Sequence, residues 1–151
     1  MADLGNIASL AYSAPEIVLA LSVLALFIVD LVVANKELVG RIALVAMGLV
    51  VVLLVLSLPE AGDTRSLFHR QVVYDAYAQF FKVLLGLSGF AAVWMSLGSV
   101  EIRRVNQGEY FAILLAATLG MLFMASATNL LMGYLALEFV SLASYVLAGY
   151  A

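Results

Sequence analysis

The sequence predicts an all-α polytopic membrane protein with about five transmembrane helices. Of the 151 residues, 66% are hydrophobic and only 11% are charged, and the mean hydropathy is +1.13. Soluble domains are closer to half apolar and a quarter charged, so this chain needs a bilayer to cover its apolar surface. The apolar residues also form continuous stretches of about 20 residues, the length that crosses a hydrocarbon core as a helix.

Each apolar stretch has recognisable ends. The first begins at Pro15, where the missing backbone N–H costs a helix nothing, and the second stops before Pro59. Strands are not expected, because the stretches are continuously apolar and a helix satisfies its own backbone in lipid. Only Thr128 and Asn129 separate the last two stretches, which predicts a tight antiparallel hairpin. The predicted spans are about 15–34, 40–58, 75–98, 109–127 and 129–151.

Basic residues predict the orientation of the helices. Four of them lie in the loops on one side of the membrane and two in the long loop 59–74 on the other side, while the N-terminal segment carries none. Cytoplasmic loops are enriched in Lys and Arg, so the N-terminus is expected outside. The four are Lys36, Arg41, Arg103 and Arg104, and the two are Arg65 and Arg70.

The composition excludes several kinds of function. There is no Cys, so disulfides, thiolate zinc sites and cysteine-ligated iron–sulfur clusters are excluded. One histidine, His69, cannot supply two axial haem ligands or a multi-histidine metal site. A net charge of −3 provides no basic footprint for nucleic acid. The N-terminus also lacks the basic start of a signal peptide.

Glu138 is the strongest candidate for a functional residue. It follows Asn129 by nine residues, which places it about 13 Å into the bilayer. Charged residues at this depth cost about 3 kcal/mol or more, and they usually face a protein interior and have a function. Tyr134, Ser141 and Tyr145 fall on the same helical face, and such a stripe suits a site for a proton or a cation. The alternative is a structural acid bonded to a neighbouring helix.

Lys82 is the second charge within a predicted span, about seven residues inside the third one. Two interpretations stay open. Its long stem could carry the ammonium to the interface, or the ammonium could be the charge partner of a buried carboxylate such as Glu138.

The remaining acids have structural explanations. Asp75, Glu109 and Glu16 stand in first turns of predicted helices, where an acid complements the helix dipole. Asp30 is expected to cap or pair with a loop residue near the end of the first span. Ala116 and Gly120 have a small-xxx-small spacing that favours close helix packing.

Several motifs resemble those of one membrane protein family, the antiporter-like subunits of respiratory complex I, and within it the N-type subunit. The motifs are Pro15-Glu16-Ile17, the segment DAYAQFFK at 75–82, GEYF at 108–111, TLGM at 118–121, MASA at 124–127, NLL at 129–131, YLALE at 134–138 and SLASYVL at 141–147.

The resemblance implies a fold of around fourteen helices with two inverted five-helix repeats that begin at the fourth helix. Residues 1–108 would then hold three leading helices, and residues 109–151 the first two helices of a repeat, so we expect the front part of a longer protein. It also implies that Glu138 matches a glutamate coupled to lysines on later helices, which are not among these 151 residues.

By this resemblance the chain takes part in proton translocation in an NADH:quinone oxidoreductase of the bacterial inner membrane, a mitochondrial location being the less favoured one. NADH, flavin, iron–sulfur clusters and quinone would be held by other subunits, and none by this chain. The expected partners are other membrane subunits and lipid. A subunit of a multi-subunit cation/proton antiporter and a structural membrane scaffold are the alternatives.

Overall fold

The computed structural model describes residues 2–3, 6–33, 36–59, 64–99 and 107–150. Within these ranges the chain forms six α-helices and three short strands. Helices α2 to α6 are long and apolar enough to cross a membrane, and their bounds agree with the five predicted spans to within a few residues. In chain order the elements are β1 (Ala2–Asp3), α1 (Asn6–Tyr12), α2 (Ala14–Val32), α3 (Lys36–Leu56), β2 (Arg65–Leu67), β3 (Val72–Tyr74), α4 (Ala76–Leu97), α5 (Gln107–Ser126) and α6 (Leu130–Ala148).

Two of the long helices begin at a side-chain cap. The Asp75 carboxylate accepts a hydrogen bond from the backbone N–H of Ala78 at 2.7 Å and starts α4, as predicted for this acid. The Asn129 side chain accepts one from the N–H of Met132 at 2.7 Å and starts α6. Each cap satisfies one of the backbone N–H groups that have no partner inside the helix.

Helix α5 lies at the centre of the bundle. It packs against α2, α3, α4 and α6, and its Phe111, Leu115 and Leu122 are fully buried. Helix α6 packs along α5 and buries only Ala136 and Ala143 among its described side chains. The bundle therefore has a packed part, α2 to α5, and one helix attached to its side.

The predicted α5–α6 hairpin is present, and Gly120 determines how closely the two helices approach. A Cβ atom at Gly120 would lie 2.8 Å from Cγ2 of Val140 and 2.9 Å from Cδ1 of Phe139. Such distances are shorter than normal packing contacts, so only glycine fits between the helices as they stand. This half of the predicted small-xxx-small pair therefore lies in the helix contact.

A small sheet closes one end of the bundle. Strand β2 pairs in parallel with β1 and antiparallel with β3, and Val72 of β3 also bridges Ala127 at the end of α5. The connection from β2 to β3 contains three consecutive non-glycine residues with positive φ: Phe68, His69 and Arg70. The sequence did not predict this sheet, because strands of two or three residues are too short to show an alternating pattern. Gly62 and Asp63, a turn signal in the sequence of this loop, lie outside the described residues.

The bundle has two ends, here called the sheet end and the opposite end. The sheet end holds the strands, the starts of α2, α4 and α6 and the ends of α3 and α5. The opposite end holds the ends of α2, α4 and α6 and the starts of α3 and α5. Arg65 and Arg70 lie at the sheet end, and Arg41 lies near the opposite end. Arg103, Arg104 and the side chain of Lys36 lie outside the described residues.

Candidate functional site

Glu138 lies midway along α6, on the side that faces away from the bundle. The buried residues Ala136 and Ala143 mark the side of α6 that contacts α5. At 100° per residue, Glu138 points about 160° away from Ala136. Its side chain is exposed. Within the described residues, therefore, Glu138 does not face the protein interior expected for an acid at this depth.

The three hydroxyl residues predicted to accompany Glu138 share its side of α6. Tyr134 and Tyr145 are 61% and 73% exposed. The Ser141 hydroxyl donates to the carbonyl oxygen of Leu137 at 2.9 Å, one turn back along its own helix. The serine therefore uses its proton locally, which leaves the two tyrosines as the hydroxyl donors of this stripe.

Lys82 forms a buried ion pair with an acid of α2. Its Nζ lies 2.6 Å from Oε1 of Glu16, and the two side chains are only 3% and 4% exposed. The partner interpretation of Lys82 thus fits the structure, but with a different carboxylate from the one predicted: no described contact joins Lys82 to Glu138. The pair connects α4 to the first turn of α2.

The geometry of the two helices explains this pairing. Glu16 stands one residue after Pro15 at the sheet end of α2, and Lys82 stands about two turns into α4 from the same end. Side chains on a helix lean toward its N-terminus, so the lysine stem reaches back toward the sheet end and meets Glu16. The sequence carried this signal as an acid and a base in the sheet-end halves of two spans, within reach of a long lysine stem. Sequence reasoning assigned Glu16 to the helix dipole alone and missed the contact.

Gln79 makes further polar contacts on the same helix, nearer the sheet end. It lies three residues before Lys82 on the buried face of α4 and is 2% exposed. Its amide donates to the Ser57 hydroxyl at 2.7 Å, and the Tyr74 hydroxyl donates to the Ser57 carbonyl oxygen. Sequence reasoning missed Gln79 as well, although the spacing of three residues from Lys82 places both on one helical face.

Aromatic and cationic groups cover this region at the sheet end. The rings of Tyr12 and Tyr74 meet edge to face with centroids 5.2 Å apart. The guanidinium of Arg65 lies 4.6 Å from the centre of the Tyr12 ring and donates to the Tyr12 hydroxyl. Arg65 is partly exposed, so the polar groups reach from the buried ion pair to the surface of the protein.

A separate group of polar contacts lies at the opposite end. The Tyr150 hydroxyl donates to Oε2 of Glu109 at 2.6 Å, and Ser96 bonds to the Tyr110 hydroxyl at 3.0 Å. Burial and the neighbouring Glu109 carboxylate raise the pKa of Tyr150 above its ordinary value, with a smaller effect from Asp30. This tyrosine therefore stays neutral and keeps α6 tied to the start of α5.

Asp30 lies near the end of α2. The Asp30 side chain occupies the space beside Gly108, where a Cβ atom would overlap its carboxylate. Asp30 thus packs against the start of α5 near the end of its own span. Among the described ranges, no group of three or more His, Asp or Glu side chains is arranged to hold a metal ion.

The side chains of these sites can bind and release protons. The charged positions offer carboxylates, an ammonium and tyrosine hydroxyls, all of which exchange protons with water or with one another. Glu138 and the Glu16–Lys82 pair lie within membrane-spanning helices, where ionisable groups are expensive and usually belong to ion or proton pathways.

Comparison with known proteins identifies the relatives of the chain, although no family model matches it. It is 39% identical over 148 residues to "NADH-quinone oxidoreductase subunit N" of Anaeromyxobacter sp. (strain Fw109-5), across 96% of this chain and 28% of that protein. Subunit N of Chlorobium chlorochromatii is 35% identical, across 95% of this chain and 28% of that protein. Subunit N of Magnetococcus marinus is 37% identical, across 94% of this chain and 30% of that protein.

These proteins are far longer than the chain, which spans about 28% to 30% of their length. The match covers the five spans and both charged positions within them, because it extends over nearly all of the 151 residues. The chain is therefore a multi-pass membrane protein that matches the N-terminal part of subunit N of NADH-quinone oxidoreductases, as its motifs predicted.

Proposed function

We propose that the chain forms part of the membrane arm of a proton-translocating NADH:quinone oxidoreductase. It takes part in moving protons while other subunits oxidise NADH and reduce quinone. The observation that carries this proposal is the identity of 35% to 39% with proteins named subunit N, sustained over about 95% of the chain. Neither the antiporter alternative nor the scaffold alternative appears in the names of these relatives.

Glu138 is the residue proposed to take up and release a proton. An ionised carboxylate exposed to lipid near the middle of a span costs about 3 kcal/mol or more. Because the relatives are much longer than this chain, we propose that further protein covers the Glu138 side of α6. Tyr134 and Tyr145 flank the carboxylate there and supply hydroxyls that hold water or pass a proton, with Ser141 as a further support.

The remaining expectations about architecture belong to the same proposal. Residues 1–108 provide three leading transmembrane helices, and residues 109–151 provide the first two helices of an antiporter-like repeat. The sheet end faces the outside of a bacterial inner membrane, as the distribution of basic residues indicates. NADH, flavin, iron–sulfur clusters and quinone are held by other subunits of the complex.

Replacement of Glu138 by Gln in the full-length subunit tests the proposal. The amide keeps the shape of the side chain and removes its charge. The complex is purified and reconstituted into vesicles, and proton uptake is measured per NADH oxidised. We expect the E138Q complex to assemble and to pump fewer protons per NADH. Ser144→Ala is the matched control, because Ser144 is also exposed on α6 and lies outside the stripe.

The two alternatives have different outcomes in the same vesicles. Sodium-driven proton exchange that needs neither NADH nor quinone would indicate a cation/proton antiporter subunit. Unchanged proton pumping in both Glu138→Gln and Glu138→Leu would indicate a scaffold, since a structural position tolerates an apolar side chain at a lipid-exposed site.

A further inference from the structure

The Glu16–Lys82 ion pair links α2 to α4 through two buried charges. Both side chains are at least nine-tenths buried, with Nζ and Oε1 2.6 Å apart. Removing two charges from water costs a great deal of solvation, and apolar residues of similar volume often stabilise a protein equally well. Stability alone is therefore a weak reason for two charges at this position.

The second carboxylate oxygen of Glu16 is unusual. Oε2 is buried and has no hydrogen-bond partner among the described residues. Buried polar atoms are almost always bonded, and an exception calls for a bound water or a catalytic role. A carboxylate oxygen with an unused lone pair accepts a proton, and Oε2 is therefore the reactive atom of this pair.

Polar side chains lead from Glu16 and Lys82 toward the surface. We call them the polar column. Gln79 follows Lys82 one turn nearer the sheet end, and its amide bonds to Ser57. Tyr74 bonds to the same serine and contacts Tyr12, which is bonded to the partly exposed Arg65. The column comprises Glu16, Lys82, Gln79, Ser57, Tyr74, Tyr12 and Arg65.

Apolar packing closes the inner end of this column. Leu19, one turn beyond Glu16 in α2, and Leu54 of α3 are both fully buried. Gly86, one turn beyond Lys82, packs against Leu54, whose Cδ1 would lie 2.9 Å from a Cβ atom at this glycine. Among the described residues, hydrogen-bonding side chains thus extend from the ion pair toward the sheet end, as in a half-channel that stops at a charged site.

We propose that Glu16 is a second protonatable site of this protein, connected to the sheet end by the polar column. A proton that arrives along the column binds the free lone pair of Oε2 and turns the carboxylate into a neutral carboxylic acid. Lys82 keeps its three protons, and its contact with Oε1 weakens because the partner has lost its charge. Release of the same proton restores the ion pair. This inference rests on the proposed role of the chain in proton translocation.

The test uses the full-length subunit in the intact complex, reconstituted into vesicles. Three variants are compared: Glu16→Gln, Lys82→Met, and the double variant E16Q/K82M, which leaves no buried charge without a partner. Glu37→Gln is the matched control, since Glu37 also stands in the first turn of a spanning helix but is exposed. Assembly is measured by native gel electrophoresis, and proton uptake is measured per NADH oxidised.

The double variant decides between a structural and a functional pair. We expect it to assemble, because both charges are removed together, and to pump fewer protons per NADH than the Glu37→Gln control. A double variant that assembles and pumps as well as the control overturns the proposal and leaves the pair as a structural link.

An infrared measurement keeps the proposal testable if the double variant does not assemble. Turnover of the wild-type complex is expected to produce a carboxylic-acid C=O band that shifts in deuterated water and changes frequency in Glu16→Asp. The absence of any band sensitive to Glu16→Asp overturns the proposal. Normal pumping in the double variant alone would overturn only the role of Glu16. Normal pumping in both Glu138→Gln and the double variant would also overturn the proposed role of the chain in proton translocation.

Discussion

The two charged sites of the bundle differ in their surroundings. At the sheet end, Glu16 and Lys82 are buried and 2.6 Å apart, and Gln79, one turn nearer that end on α4, bonds to Ser57, as Tyr74 also does. On α6, Glu138 is exposed and faces away from α5, and the hydroxyl of Ser141 is engaged by its own helix. The charges of the first site contact each other inside the bundle, whereas the Glu138 side chain of the second points away from it.

The two sites therefore depend on the fold to different degrees. The Glu16–Lys82 site depends on how α2, α3 and α4 pack, so changes there affect the stability of the bundle together with its chemistry. Glu138 makes few contacts with the bundle, so its replacement is expected to change function with little effect on folding. The predictions below test this separation, from the largest expected effect to the smallest.

Lys82→Met should be the most destabilising single change. It leaves the Glu16 carboxylate buried without a cation, and breaking one side of a buried ion pair costs about 3–5 kcal/mol. The amount of assembled complex and its thermal midpoint should fall sharply, and E16Q/K82M should recover much of the loss. Glu138→Gln, measured alongside, should leave both quantities nearly unchanged. Equal losses of assembled complex in Lys82→Met and Glu138→Gln would contradict this difference between the two sites.

Gly120→Ala should displace α6, the helix that carries Glu138, without affecting the ion pair. The added methyl group would lie 2.8 Å from Val140 and 2.9 Å from Phe139, so these side chains must move, at a cost of about 1–3 kcal/mol. Gly133→Ala is the control on α6, since its Cβ atom would lie 4.0 Å from Ala127 and fit without strain. Thermal midpoints of the two variants provide the comparison, and equal values would argue against close α5–α6 packing.

Removal of the two caps should cost about 1 kcal/mol each. Asp75→Ala frees the N–H of Ala78 at the start of α4, and Asn129→Ala frees that of Met132 at the start of α6. Because Asn and Asp cap equally well, Asp75→Asn and Asn129→Asp should retain stability. Hydrogen exchange at the first turn of each helix measures the effect, and faster exchange in the Asn or Asp variants would be inconsistent with side-chain capping.

Tyr150→Phe should have the smallest effect. The raised pKa of Tyr150 means that folding favours its neutral form. The associated stability is present below the ordinary tyrosine pKa of about 10 and declines as the pH rises above that value. Between about pH 6 and 9, below that pKa, wild type and Tyr150→Phe should therefore show the same pH dependence of stability. A divergence within that range would show that the phenol ionises earlier than the structure implies.

The sequence predicted the spans well because each one is a long apolar stretch with a Pro, Asp or Asn at its boundary. The same reasoning found Glu138, since an acid in an apolar span is visible without a structure. It missed the sheet, whose strands are shorter than any periodic pattern, and it missed the pairing of Glu16 with Lys82. These residues are 66 positions apart in the chain, and only the assembled bundle, in which α3 and α5 each pack against both α2 and α4, brings them into contact.

The most direct measurement of the central proposal is the number of protons moved per NADH oxidised by the intact complex carrying Glu138→Gln. If Glu138 carries protons, the transfer step that uses it should slow by roughly 10²-fold or more. The ratio should then fall below that of wild type and of Ser144→Ala, while the amount of assembled complex stays the same. A wild-type ratio in Glu138→Gln at equal turnover would contradict a proton-carrying role for this residue.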